Sequence, residues 1–119
     1  MLKNADCTLY LCNANGGFDK YVVKDVYWHD NRGSTTTKNG IQSADNVTVY
    51  FYSDKVKPHS VGKDLLIKGI AEFEFNNTTS QTVSQSMKSF REQHPDFVTV
   101  VSVNDYMFGG LPHIEIIAR

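Results

Sequence analysis

The stretch that decides the fold is FVTVVSVNDYMFGGLPHIEII, residues Phe97–Ile117. The apolar run at Val98–Val103 predicts a β-strand, because β-branched side chains favour extended backbone. Gly109-Gly110 predicts a tight turn. The alternation that follows predicts a second strand, in which Ile114 and Ile116 face a core while their neighbours point away.

The first of these strands is apolar on both faces. Phe97, Val101 and Val103 share one face, and Val98 and Val100 share the other. A strand with two apolar faces is usually covered on both sides. We therefore expect a central strand.

Further strands are predicted upstream by the same alternation. In the second of them the apolar phase changes near Lys24–Asp25, which predicts a β-bulge. The last of them runs from Leu65 to Phe75. Its apolar side chains, beginning with Leu65, share one face, and its charged side chains, beginning with Lys68, share the other. The predicted strands cover residues 6–12, 18–29, 47–52 and 65–75.

One helix is predicted between the upstream strands and the deciding stretch. Val83, Met87 and Phe90 form a narrow apolar stripe at helical spacing, and Pro95 ends it. Two capping boxes fit its start, Thr78 with Gln81 or Thr82 with Gln85. The fold class expected is mainly β (α+β): a small antiparallel β-barrel or rolled sheet of six or seven strands with one short helix near residues 80–94, as a single domain over residues 1–119.

Two polar segments, residues 30–40 and 53–63, are predicted to be exposed loops because they lack the apolar residues needed to bury surface. The turn Tyr106–Leu111 is expected to expose Met107 and Phe108, which have no evident core role. These three regions, together with Tyr52 at the end of the strand before the second of them, supply the candidate interaction residues, and no catalytic, metal or cofactor-binding residue is predicted. The candidates are Arg32, Lys38, Tyr52, His59, Met107 and Phe108.

Composition limits the functions that the chain can have. The formal net charge of −1 supplies no basic excess for sequence-independent binding to phosphates. No segment approaches the roughly 18 apolar residues of a membrane span, and no signal peptide is evident, so we expect a soluble protein made in the cytoplasm.

Cys7 and Cys12 are five residues apart on one strand, so their side chains point to opposite faces and two free thiols are expected. No histidine spacing indicates a metal site.

Two alternative functions compete with a structural role. Glu72 and Glu74 would lie roughly 7 Å apart on a strand, within the range of hydrolase carboxylate pairs, although an ordinary charged surface is favoured. Tyr50 and Tyr52 lie opposite the apolar face of their own strand and could stack nucleic-acid bases or anchor a protein interface.

Five segments carry a resemblance of spacing and apolar pattern that covers most of the 119 residues. They are MLKNADCTLYL, DKYVVKDVYWHD, SADNVTVYF, LLIKGIAEFEF and VTVVSVNDYMFGGLPHIEI. In these segments the chain resembles a family of small proteins encoded by tailed phages and prophages of Gram-positive bacteria.

Such proteins resemble head-completion and head–tail connector proteins of the phage neck. The resemblance implies a virion structural protein without catalytic residues, assembled in the host cytoplasm. It would form a homo-oligomeric ring between a portal-side adaptor and tail proteins, with non-specific contact to channel DNA and none to membrane. A tail-end completion protein is the close alternative.

Overall fold

The computed structural model describes residues 3–14, 16–30, 46–53, 55–107 and 109–119. Its six strands close into an antiparallel barrel in the order β1-β2-β3-β6-β5-β4, with one helix outside. This confirms the expected mainly-β barrel and fixes the strand number. The elements are β1 (Ala5–Cys12), β2 (Phe18–Asp30), β3 (Val47–Phe51), β4 (Leu65–Lys68), α1 (Ser80–Gln93), β5 (Val98–Tyr106) and β6 (His113–Ala118).

The barrel interior is the main core. Every strand contributes inward side chains at alternate positions, and those of β3 (Val47, Val49, Phe51) are fully buried, as predicted. Ile114 and Ile116 are also fully buried. The cluster comprises Cys7, Leu9, Leu11, Val26, Trp28, Val47, Val49, Phe51, Leu66, Val98, Val100, Ile114, Ile116 and Ala118.

The cysteines occupy different environments. Cys7 is fully buried in the barrel interior, whereas Cys12 is partly exposed at the end of β1, and both are free thiols, as expected. Burial, with a smaller contribution from the nearby charge of Asp6, raises the pKa of the Cys7 thiol to about 12.

The predicted bulge in β2 is confirmed. Ala5 pairs with Val26 but Cys7 pairs with Val23, so β2 carries one extra residue at this point. Asp25 takes the left-handed conformation there, with φ 58°, and its backbone N–H donates to Asp6 Oδ1 at 3.0 Å. The bulge turns Val26 and Trp28 inward.

A second bulge, in β5, overturns the expected face assignment. Val100 pairs with Ala118 but Ser102 pairs with Ile117, so the phase of β5 changes at Val101. Val103 therefore packs against the barrel interior rather than sharing a face with Val101, which is 38% exposed. The expectation of a central strand covered on both sides is wrong, because a closed barrel has no central strand and the helix covers another part of its outer surface.

A second core lies between the outer surface of the barrel and α1. Phe90, the fully buried residue of α1, contacts the ring of Tyr10 at a centroid distance of 5.0 Å. The outward side chains of β4, Leu65 and Ile67, lie beneath the same cluster. Its members are Tyr10, Phe18, Leu65, Ile67, Ala71, Phe75 and Phe90. Beyond the barrel wall, the helix thus buries one outer side of the sheet.

The predicted long strand over residues 65–75 is wrong in its second half. β4 ends at Lys68, and Gly69 then takes φ 88°, a left-handed conformation that glycine adopts readily. The chain after it runs over the outer face of β1, where Thr8 Oγ1 donates to the Gly69 carbonyl and accepts from the Ala71 N–H. The predicted apolar face is nevertheless buried, since Ala71 and Phe75 join the second core.

The start of α1 also differs from the predicted capping boxes. Thr79 is the N-cap, its side chain accepts from the Thr82 N–H, and the Thr82 hydroxyl accepts from the Thr79 N–H. Both predicted boxes are therefore wrong. The helix ends at Gln93, close to the expected position, with His94 as C-cap.

The strand connections leave the barrel at two ends. The turn after β1, the connection from β3 to β4 and the turn from β5 to β6 lie at one end, which we call the turn end. Asp30 and Val47, between which the chain passes from β2 to β3, pair with each other at the opposite end. The two segments predicted as exposed loops thus join the barrel at opposite ends.

Candidate interaction surfaces

An aromatic stripe crosses the outer surface of the barrel on the side that α1 leaves uncovered. Its members are Tyr27, Tyr50, His113 and Tyr106, one from each of β2, β3, β6 and β5. Successive ring centroids lie 5.3, 4.8 and 5.2 Å apart. The stripe follows from strand alternation, because each of its residues is next to a residue that packs in the barrel interior, such as Val26, Val49, Ile114 or Met107.

The stripe is only partly shielded from solvent. Tyr106 is 40% exposed, and Tyr27, Tyr50 and His113 are half-buried. His113 Nδ1 lies 3.0 Å from the Leu111 carbonyl oxygen, which can only accept, so this ring nitrogen carries the proton. His29 extends the stripe by stacking on Tyr27 at 6.2 Å. Partly exposed aromatic rings held in place by their neighbours are typical of protein interfaces.

Sequence reasoning singled out Tyr50 of this stripe but missed its arrangement with the other three residues. Two cross-strand pairs build it, Tyr27 opposite Tyr50 and Tyr106 opposite His113. The available signal was the outward phase of each strand. Strand pairing was required to show that these outward residues are neighbours.

The predicted interaction residues separate in the structure. Tyr52 is half-buried just after β3, and His59 is exposed in the connection to β4, with its Nδ1 2.9 Å from Ser60 Oγ. Met107 packs against the barrel interior, so the expectation that it lacks a core role is wrong. Arg32, Lys38 and Phe108, like most of the loop over residues 30–40, lie outside the described residues.

One buried carboxylate holds the connection between β3 and β4 against the barrel. Asp64 is fully buried, and its Oδ2 accepts the backbone N–H groups of His59 and Ser60, both at 2.7 Å. Its Oδ1 accepts the Cys12 N–H at 2.8 Å, which links the connection to the end of β1. Most of residues 53–63 are exposed as predicted, but Pro58 is buried and this end of the connection is held to the barrel.

A groove lies between α1 and the turn end of the barrel, and we call it the helix groove. Two adjoining cavities of ≈ 600 and ≈ 370 Å³ share Gly16, Phe18, Met87 and Arg91 in their walls. Its floor is apolar, whereas its rim carries the exposed side chains of Lys63, Lys88 and Arg91 with one opposing carboxylate, Glu92. The described rim is therefore net positive and open to an apolar group with a negative charge beside it.

The candidate carboxylate pair does not lie on a strand. Glu72 and Glu74 follow β4 in the irregular segment over the second core, and both are exposed. Glu74 is close enough to Tyr10 to add, after burial, to the rise of the pKa of that phenol to about 12. The strand geometry on which the hydrolase reading rested is absent from this part of the chain.

Within the described residues, no group of three or more His, Cys, Asp or Glu side chains is placed to hold a metal ion. Over the same residues, no helix has the length and apolar character needed to cross a membrane.

Comparison with known proteins gives one match. Residues 2–119 match the model of a family of unknown function, DUF6751. The chain belongs to this family. No curated protein and no solved structure matches the chain. The family description carries no activity.

Proposed function

We propose that this DUF6751 chain is a structural protein of a tailed-phage virion, which forms a ring in the head–tail connector. The observation that carries the proposal is the aromatic stripe on the uncovered side of a closed barrel. A closed barrel has no free strand edge, so its copies must associate through side chains. The stripe supplies a partly exposed, ordered aromatic surface for that purpose.

The arrangement of connections supports the same role. A ring in a phage neck must contact one component above and another below. Here the β2–β3 connection joins the barrel at one end and the β3–β4 and β5–β6 connections at the other. Each end can therefore contact a different neighbour, one on the portal side and one on the tail side, while the barrel wall contacts other copies of the same chain.

The experiment is sedimentation of the purified chain at increasing concentration, alone and with the portal, adaptor and tail proteins encoded beside its gene. We expect a ring, either alone or on the portal complex. Tyr106→Ser should weaken association, whereas the matched change Tyr21→Ser should not, since Tyr21 is 39% exposed, close to the 40% of Tyr106, but lies outside the stripe. A chain that stays monomeric and joins no head or tail component contradicts the proposal.

Gene order separates neck from tail end. A gene between those of the portal and the major tail protein favours the connector, whereas a gene after the tail tube favours a tail-end completion protein.

A second candidate function is single-stranded nucleic-acid binding by the stripe, because bases stack on exposed aromatic rings. The charges near the stripe favour this less, since Lys57 is paired with Asp105 at 3.3 Å and Glu115 is bound by Asn104. Tyrosine fluorescence at low salt is the appropriate test, since Trp28 is only 4% exposed and points into the barrel. Unchanged tyrosine emission with single-stranded DNA rejects this function.

A further inference from the structure

The turn between β5 and β6 presents exposed apolar surface that the barrel does not use. We call the described residues of this turn, 106–107 and 109–113, the β5–β6 tip. Leu111 is 55% exposed and Tyr106 is 40% exposed. Two carboxylates stand at its base, Asp105 and Glu115. Asp105 accepts the Met107 N–H at 2.9 Å and is paired with Lys57 at 3.3 Å, and both contacts lower the pKa of its carboxyl group. With Glu115, the charges of Asp105 and Lys57 at the base of the tip sum to −1.

The helix groove has the complementary character. Its floor includes the side chains of Phe18 and Met87, and its rim carries Lys88 and Arg91. An apolar tip with carboxylates at its base matches an apolar floor with cations at its rim.

The two surfaces lie near the same end of the barrel but on different parts of it. The groove wall includes Gly16 in the turn from β1 to β2, and both this turn and the β5–β6 tip belong to the turn end. In the cyclic order β1-β2-β3-β6-β5-β4, the groove lies beside the neighbouring strands β1 and β4, from which Cys12 and Leu65 line it, whereas the tip joins β5 and β6.

We propose that the β5–β6 tip of one copy seats in the helix groove of the next copy. This contact rests on the proposed function and names the surfaces that would form the ring. It is heterologous, because two different patches meet. A heterologous contact closes into a ring where the rotation between neighbouring copies closes, and otherwise grows into an open filament.

The test uses one variant for each surface. The groove variant Lys88→Glu/Arg91→Glu reverses two exposed rim charges, and the tip variant Leu111→Asp places a charge at an exposed position, so neither change disturbs a buried group. The matched control Lys24→Glu/Lys68→Glu reverses two exposed charges on β2 and β4. Each is examined by analytical ultracentrifugation and native mass spectrometry, beside the wild type.

We expect wild type and control to form the same ring, and each surface variant alone to associate roughly tenfold or more weakly. An equimolar mixture of groove and tip variants should give a 1:1 dimer and nothing larger. Only the tip of the groove variant and the groove of the tip variant remain intact, so one contact forms and the ends are capped.

Three outcomes overturn the docking. They are variants that assemble as the wild type does, a mixture that forms no dimer, and a wild-type chain that stays monomeric up to about 1 mM. If both variants still form a ring on the portal complex, the proposed contact is wrong but the connector function is not contradicted. Failure to join any head or tail component removes the function instead.

Discussion

Replacement of Asp64 tests how the turn end of the barrel is stabilised. Its carboxylate is fully buried and accepts three backbone N–H groups, from Cys12, His59 and Ser60, at 2.7–2.8 Å. Asp64→Ala removes the only side-chain acceptor that these bonds use. An unsatisfied buried donor costs about 1–3 kcal/mol. Because Cys12 and Ser60 are partly exposed and His59 is exposed, water can reach the freed donors, and the lower limit applies.

The expected loss is therefore about 3 kcal/mol in the free energy of unfolding, or about 1 kcal/mol for each donor. With a urea m-value of roughly 1.5 kcal/mol/M, the unfolding midpoint should fall by roughly 2 M. Asp64→Asn should cost about 1–2 kcal/mol, because one carbonyl oxygen can still accept from His59 and Ser60 while the amide NH₂ faces the Cys12 donor.

Urea unfolding followed by circular dichroism measures both variants. The matched control is Asp19→Ala, since Asp19 is exposed and its contact with Asn13 Nδ2 is long, at 3.4 Å. This control should stay within about 0.5 kcal/mol of wild type. The reasoning is refuted if Asp64→Ala costs less than about 1 kcal/mol, or if the Asn and Ala variants cost the same.

Two further predictions concern the barrel interior and the β2 bulge. Burial raises the pKa of the Cys7 thiol from its ordinary 9.0 to about 12. The unfolded chain therefore ionises first at this thiol, and the stability that the thiol contributes below pH 9 should fall by roughly 1.4 kcal/mol per pH unit between pH 9 and 12. In alkaline unfolding curves Cys7→Ala should remove this part of the loss and leave the part due to Tyr10, whose pKa is also raised to about 12. Asp25 has φ 58°, a left-handed conformation that glycine adopts readily and valine does not. In urea unfolding, the free energy of unfolding of Asp25→Gly should stay within about 1 kcal/mol of wild type, whereas Asp25→Val should lose about 1–2 kcal/mol. Equal effects of the two changes would show that the fold does not enforce this conformation.

The barrel could be predicted because alternation is a local property of each strand. The faces of β3 and β6 were read correctly from Val47, Val49, Ile114 and Ile116, since each has one buried and one outward face. The β2 bulge left a visible signal as well, a change of apolar phase near Asp25.

The β5 bulge left no such signal. Val100, Val101 and Val103 are all apolar, so a one-residue shift of phase does not alter the pattern of residue types. Pairing with β6 decides it, because Ala118 and Ile117 fix which residues of β5 lie opposite them. Similarly, the residues after Gly69 keep the alternation of a strand although they leave the sheet, because burying alternate side chains against α1 requires the same pattern.

The sequence alone determined the strand-rich class, the single helix and the inward residues of most strands. These depend on propensity and on the period of two along a strand, both of which are properties of neighbours in the chain. Only the tertiary structure decided the aromatic stripe, the helix groove and the burial of Asp64. Each brings together side chains or backbone groups from separate strands, and their proximity depends on barrel closure and register, which no local pattern encodes.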